Sequence, residues 1–200
     1  MKFVGLVGSN YDQSYNRKLL EFIRRQFKIK FELELLEIDE VPMFNQDEKW
    51  DESFQLRLLN NKITRADGVI IATPEHNHTI SAALKSVLEW LSFEVHPFEN
   101  KPVMITGASY GTLGSSRAQL QLRQILNAPE IKATVLPDEF LLSHSLQAFD
   151  KNGDLVDLDV IQKLDAIFDD FRVFVKITEK LRNAQELLRK DAEEFDWENL

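Results

Sequence analysis

The chain contains no cysteine. That absence excludes structural disulfides, thiolate-bound zinc, cysteine-ligated iron–sulfur clusters and any thiol relay. It suits a reducing compartment, and the cytoplasm is the expected location. Long hydrophobic runs are missing as well: the longest fall far short of the about 18 apolar residues that a membrane-spanning helix needs. Met1-Lys2 leads straight into a short apolar stretch that reads as a strand, so no secretory leader is expected. Positive charge is in deficit, with 24 Lys and Arg against 33 Asp and Glu for a net charge of −9. Neither a nucleic-acid-binding surface nor an anionic-membrane surface is therefore expected. No internal repeat, linker or low-complexity tract stands out. What is present is an ordinary folded composition, 44% apolar and 28% charged, which argues against disorder. Its 200 residues suit one domain, or one domain with a tail.

Through residue 136 strand-like and helix-like patterns alternate. Strands are expected at residues 2–8, 30–38, 67–73, 101–107 and 131–136. The stretch 67–73 is a continuous β-branched run, typical of a strand covered on both faces, whereas 30–38 alternates apolar and charged residues like a strand near an edge. Between them lie helical spacings. Residues 15–27 carry Leu19, Leu20, Ile23 and Phe27 on one stripe, and residues 79–92 carry Ile80, Leu84, Val87 and Leu91. Residues 53–65 read as a helix with Phe54, Leu58 and Leu59 facing inward, and 114–127 as another. Repeated βα units imply a parallel sheet with helices on both faces. Right-handed crossovers leave few topologies, and five strands suit the flavodoxin-like order 2-1-3-4-5 in a three-layer sandwich. Beyond Pro137 the pattern changes. Residues 140–156 read as an irregular excursion with a turn at Asn152-Gly153. A long C-terminal helix is then expected from 157 to about 189, longer than one sheet needs, so that its second half would cover a neighbouring subunit. Residues 1–190 form the expected domain. Residues 191–200, with five acids and no base, form an acidic tail.

Ligands of open parallel sheets bind beyond the carboxyl ends of the strands, near the point where strand order reverses. Three polar or glycine-rich loops follow the three central strands: residues 8–16, 73–79 and 107–114. The topology brings them to one rim. The first loop opens a helix, whose unpaired amides carry partial positive charge, and Ser9, Ser14 and Asn16 add side-chain donors. It reads equally as a phosphate cradle and as a plain helix cap. The nearest cations are Arg17 and Lys18. In the third loop Gly107, Gly111 and Gly114 differ in spacing and position from a dinucleotide fingerprint, and no Gly-Lys-Ser/Thr marks a triphosphate loop. These glycines suit close approach to a flat ring, with Ser109 and Tyr110 beside it. His76 and His78 lack a third nearby ligand, so no metal is expected. Residues 150–154 are spaced like the start of a calcium loop, but the sixth position is Leu155 where that loop requires glycine and no glutamate follows at the twelfth, so they read as a turn.

At these loops the sequence resembles the NADPH-dependent FMN reductase family of flavodoxin-fold quinone, azo-dye and chromate reductases. GSNYDQSYN at 8–16 resembles G-S-x-R-x-x-S-x-N, and VPMFNQD at 41–47 resembles L-P-L-Y/F-N-x-D. PEHNHTISAALKSVLEW at 74–90 resembles P-E-Y-N-x-S-x-P-G-x-L-K-N-A-I/L-D/E-W. GASYGTLGSSRAQLQLRQIL at 107–126 resembles G-x-S-x-G-x-x-G-G-x-R-A-Q-x-x-L-R-x-x-L. The resemblance implies that Ser9, Ser14, Tyr15 and Asn16 surround an FMN phosphate. It implies that Pro74, Glu75, His76 and Asn77 line the ring and ribityl chain, and that Ser109, Tyr110 and Gly111 flank the other side of the ring. Arg117 falls near the substrate mouth or a subunit contact. The implied activity is hydride transfer from NADPH or NADH through FMN to a small acceptor (a quinone, azo compound, free flavin or metal oxyanion), in a homodimer or homotetramer. No side chain is a compelling proton donor; His76 and Tyr110 are the candidates. A flavodoxin-type electron carrier and a flavin-binding regulatory protein are the alternatives. The departures from the family pattern are Tyr11 for its arginine, His76 for tyrosine, Ser81-Ala82 for Pro-Gly and Ser115 for glycine.

Overall fold

The computed structural model describes the backbone of residues 1–193 and the side chains of residues 1–188. Six strands form one parallel sheet: β1 (Lys2–Val7), β2 (Glu32–Leu36), β3 (Gly68–Ala72), β4 (Pro102–Ala108), β5 (Thr134–Val135) and β6 (Phe140–Leu142). The order is β2-β1-β3-β4-β5, as the alternating pattern predicts. The edge beside β4 departs from expectation. In place of one strand over 131–136, two short strands lie in tandem, β5 against Pro102 and Val103 and β6 against Thr106 to Ala108. Pro137 separates them; it has no N–H for a ladder, and the chain resumes pairing only at Phe140. Part of the stretch read as irregular therefore belongs to the sheet.

The helices are α1 (Tyr15–Gln26), α2 (Phe54–Arg65), α3 (Ala82–Phe93), α4 (Ser116–Leu126), the short α5 (Ser145–Ala148) and the long α6 (Leu158–Glu193). Strand periodicity divides the core into two layers. Phe3, Val7, Ile70, Ala72 and Met104 point into a layer shared with α1 and α6. Val4, Leu6, Val69, Ile71 and Ile105 point into a layer shared with α2, α3 and α4. Right-handed crossovers demand this division, because the chain moves one way from β1 to β2 and the other way afterwards. In the first layer Phe3, Phe31, Phe27, Phe168 and Phe171 form a chain of tilted rings. The contacts that tie this chain to α6 have centroids 4.9–5.0 Å apart. Each such pair adds about 0.5–1.5 kcal/mol beyond area burial. They fasten α6 to the sheet.

Two further expectations are corrected. Phe54 is exposed and Leu58 only half-buried; Ser53 caps α2 by accepting the Leu56 N–H, and the buried stripe is Leu56, Leu59 and Ile63, so that of the three residues expected inward only Leu59 is fully buried. The inward face starts two residues later than the apolar pattern suggests. The long helix packs on the sheet through Leu164, Phe168, Phe171 and Val175, and Thr178 is the last buried side chain among its described residues. Beyond that point Leu181, Leu187 and Leu188 are exposed. The helix continues to Glu193, past the expected boundary near 189, and the remainder of the acidic tail, residues 194–200, lies outside the described residues.

At the amino end of the sheet Lys101 is buried, and its ammonium donates to the carbonyls of Thr64 and Ala66 at 3.0 and 2.8 Å. These carbonyls close α2, so the lysine terminates that helix. Burial, followed by the nearby charge of Arg182, pushes its pKa below the ordinary lysine value.

The carboxyl ends of β1, β3 and β4 approach very closely. The Gly8 N–H donates to Ala72 O at 2.8 Å, and the Thr73 N–H to Thr106 O at 2.9 Å. A Cβ on Gly8 would lie 2.6 Å from Ala72 O. A Cβ on Gly107 would overlap Ser115 Oγ and Thr73 O, and the Thr73 carbonyl cannot withdraw without moving backbone. Gly107→Ala should therefore lower the unfolding free energy by about 3 kcal/mol, the upper end for overpacked sites, read from urea midpoints against wild type.

Candidate functional site

The three loops meet in a cavity of about 290 Å³ at the carboxyl edge of the sheet. Ser9, Ser14, Tyr15 and Asn16 line it from the first loop, Pro74, Glu75 and His76 from the second, and Ser109 and Tyr110 from the third. Two expected residues stand outside this lining. Asn77 is at the tip of a two-residue turn in which His76 and Thr79 exchange backbone hydrogen bonds; Asn77 and His78 both have positive φ, 52° and 66°. Gly111 is exposed, with nothing within 4 Å of where a Cβ would sit. Tyr11, which stands where the family has arginine, also lines the cavity, as do Ala108 and Ser145, which were not singled out. Ser145 comes from the stretch after Pro137, where neither period nor motif marks it.

The serines of the first loop are both buried and both accept a backbone N–H, Ser9 from Tyr11 at 3.2 Å and Ser14 from Arg17 at 3.4 Å. Ser14 is the N-cap of α1. Accepting through a lone pair leaves each hydroxyl proton available to donate. Cap and cradle are thus compatible uses of one side chain. Asn16 is engaged on both ends of its amide: Nδ2 donates to Ala108 O at 3.1 Å and Oδ1 accepts the Ala108 N–H at 2.8 Å. It latches α1 to the end of β4. Ser81 does similar work for the second loop, capping α3 and donating to Gly8 O at 2.8 Å.

The neighbouring cations are occupied elsewhere. Arg17 forms a bidentate pair with Glu37, both contacts at 2.7 Å, and also donates to the carbonyls of Tyr11 and Asp12. Its hydrogen bond to Glu37 holds its pKa above the ordinary value. Lys18 lies over the Tyr15 ring, 4.4 Å from the centroid. Tyr15 in turn meets the edge of Tyr110 at 5.6 Å and contacts Phe149 at 6.0 Å, which makes an aromatic wall with a wet rim.

Glu75 is the one carboxylate of the lining. Its Oε2 accepts the N–H of Arg117 at 3.0 Å and of Ala118 at 3.4 Å, while Oε1 faces His78 Nδ1 and the Arg117 guanidinium at 3.4 and 3.6 Å. The N-cap of α4, Ser115, makes no side-chain capping bond, so Glu75 supplies from a distant loop the acceptor that helix lacks. Burial opposes ionisation, but the two amides, His78 and Arg117 outweigh it and hold the pKa below the ordinary value. Arg117 is thereby a partner of Glu75 at the cavity edge. Among the described residues no group of three or more His, Asp or Glu could hold a metal ion. The site is accordingly a donor-rich cleft with aromatic walls, one paired carboxylate at its edge and the positive end of α1 at one extremity.

Residues 1–147 match the sequence profile described as NADPH-dependent FMN reductase. Over 199 residues the chain is 44% identical to NADH:(hydroxy)cinnamate reductase subunit CrdA of Vibrio ruber, covering 99% of this chain and 98% of that protein. It is 42% identical over 186 residues to NADH-dependent flavin reductase subunit 2 of Lactobacillus johnsonii, covering 90% of this chain and 100% of that protein. Among solved structures, the flavoenzyme NAD(P)H:(acceptor) oxidoreductase FerB of Paracoccus denitrificans aligns with a TM-score of 0.76 at 25% identity, over 90% of this chain and 97% of that one.

The Glu75 network has a pH signature. A carboxylate whose folded pKa lies below its ordinary 4.5 stabilises the fold above that pH, and the stabilisation is lost as pH falls through the folded value. Glu75→Gln should cost roughly 1–3 kcal/mol at pH 7. The gap between variant and wild type should narrow below about pH 4.5 in urea melts taken along a pH series.

Proposed function

Because the chain belongs to the NADPH-dependent FMN reductase family, we propose that it binds FMN in the cavity at the carboxyl edge of the sheet and passes hydride from NADH or NADPH to a small acceptor. The observation that carries this reading is the donor set. Ser9 and Ser14 can donate beside the amino end of α1, and the one carboxylate of the lining, Glu75, is engaged with His78 and the start of α4. A helix amino end with neutral donors is a ready anion site, and these residues fit a phosphomonoester. The aromatic and small residues further along, Tyr15, Tyr110, Pro74 and Ala108, suit a flat heteroaromatic ring.

When bound, FMN supplies the hydride chemistry. The chain's own residues bind and orient. The first loop anchors the phosphate end; the latch of Asn16 to Ala108 and the Ser81 bond to Gly8 hold the three loops at fixed separation. Pro74 and the backbone of the 73–79 turn shape one side of the ring site, with Ser109 and Tyr110 on the other. The exposed rim residues His76 and Tyr110 are the candidates to hold a proton for the acceptor. That acceptor is a quinone, azo compound, free flavin or metal oxyanion.

Assembly is part of the reading. The Vibrio ruber and Lactobacillus johnsonii relatives are both named as subunits, which supports a chain that works in an oligomer. Exposed Ile177, Leu181 and Leu188 on α6 suit such a contact. A homodimer or homotetramer, with residues 1–190 as one domain in the cytoplasm, completes the proposal. Among the described residues no helix is long and apolar enough to cross a membrane.

NADH oxidation by the purified protein with FMN and a quinone tests the reading, and flavin binding without turnover would favour an electron carrier. Ser14→Asp tests the phosphate site, because aspartate keeps the cap of α1 while adding a second anion. FMN affinity should fall by about 100-fold or more with the melting temperature little changed. Unaltered FMN binding would place the phosphate elsewhere.

A further inference from the structure

Three buried side-chain atoms have no hydrogen-bond partner among the described residues: Gln119 Oε1, Ser145 Oγ and Arg172 Nε. Ser145 alone of these residues lines the cavity, and it is wholly buried. A buried hydroxyl without a partner is destabilising, and native proteins rarely leave one unexplained. The backbone around it is tightly held. The Ser109 N–H donates to Leu142 O at 3.0 Å, the His144 N–H to Gly111 O at 3.2 Å, and the Ser145 N–H to Ser109 O at 3.0 Å. His144, just before it, is in the left-handed region with φ 49°, a conformation disfavoured for a side chain with a Cβ. The chain thus bends sharply after β6, accepts backbone strain, and sets a serine with an unused hydroxyl against the third loop.

We propose that Ser145 is a flavin-contact residue, its hydroxyl hydrogen-bonding to FMN on the β4 side of the cavity beside Ser109. This rests on the reading that FMN occupies the cavity, and it adds a fourth chain segment to the three loops that carry the family motifs. The serine's hydroxyl makes no hydrogen bond in the flavin-free fold, so its removal has opposite consequences in the two forms of the protein.

The test compares full-length wild type, Ser145→Ala and Ser145→Cys, each with and without FMN. Thermal melts report the flavin-free fold, and fluorescence quenching on titration with FMN reports affinity. Without flavin, Ser145→Ala should melt at or above the wild-type temperature, because an unpaired buried hydroxyl has been removed. With FMN its dissociation constant should rise by roughly three- to tenfold. Ser145→Cys, similar in size but a poorer donor, should fall between. The absorption band of bound FMN should also shift in the alanine variant. Wild-type affinity and an unshifted band in Ser145→Ala would overturn the proposal while leaving the flavin site intact. So would a flavin-free alanine variant that melts well below wild type or does not fold, since the hydroxyl would then be structural; the cysteine variant repeats the comparison in a near-isosteric side chain. A wild-type protein that does not bind FMN would overturn the flavin reading itself, before any variant is measured.

Discussion

The closeness of three strand ends governs everything at the cavity. β1 and β3 end level at Val7 and Ala72, β4 runs two residues further to Ala108, and Gly8 and Gly107 allow these backbones to meet at distances no side chain would permit. From there the hydrogen bonds from Gly8 to Ala72 and from Thr73 to Thr106 extend the sheet's ladder into the loops. The loops begin as continuations of a rigid sheet, and their side chains inherit its precision. A site built on such ends needs little reorganisation on binding, which lowers the entropic cost of association.

Charge is arranged to serve that rigidity. Arg17, Glu75 and Arg117 all lie at or near the cavity, and each is committed to holding a loop or helix end in place. The result is a cleft surrounded by charged groups but lined with neutral donors in a chain of net charge −9. An anionic ligand in this setting is held by helix amides and serine hydroxyls. These lose less hydration than a lysine or arginine would on being enclosed.

Much of the architecture was legible in one dimension. The β-branched run at 67–73, the helical stripes of α1 and α3, and the sequence of βα units were sufficient for the strand order, because crossover handedness leaves few alternatives. The rim loops were legible too, since strand ends in such sheets are where ligands bind. Errors arose where local pattern was outvoted. Phe54 begins an apolar run but sits in the first turn of α2, beyond the reach of the core. Pro137 marks a break that the sheet bridges by resuming with β6, and a run as short as Phe140–Leu142 carries no period.

Composition and periodicity by themselves determined the layers, the order of elements and the location of the rim, because these follow from burial and chain handedness, which are written locally. Only the tertiary structure decided how each polar group of the rim is used. Asn16 meets Ala108 across 92 residues and Glu75 meets Arg117 across 42, so whether a donor is free or engaged depends on contacts no local window contains. Ser145 is the extreme case. An unremarkable serine in an unpatterned stretch became notable when folding buried its hydroxyl in the cavity wall without a partner.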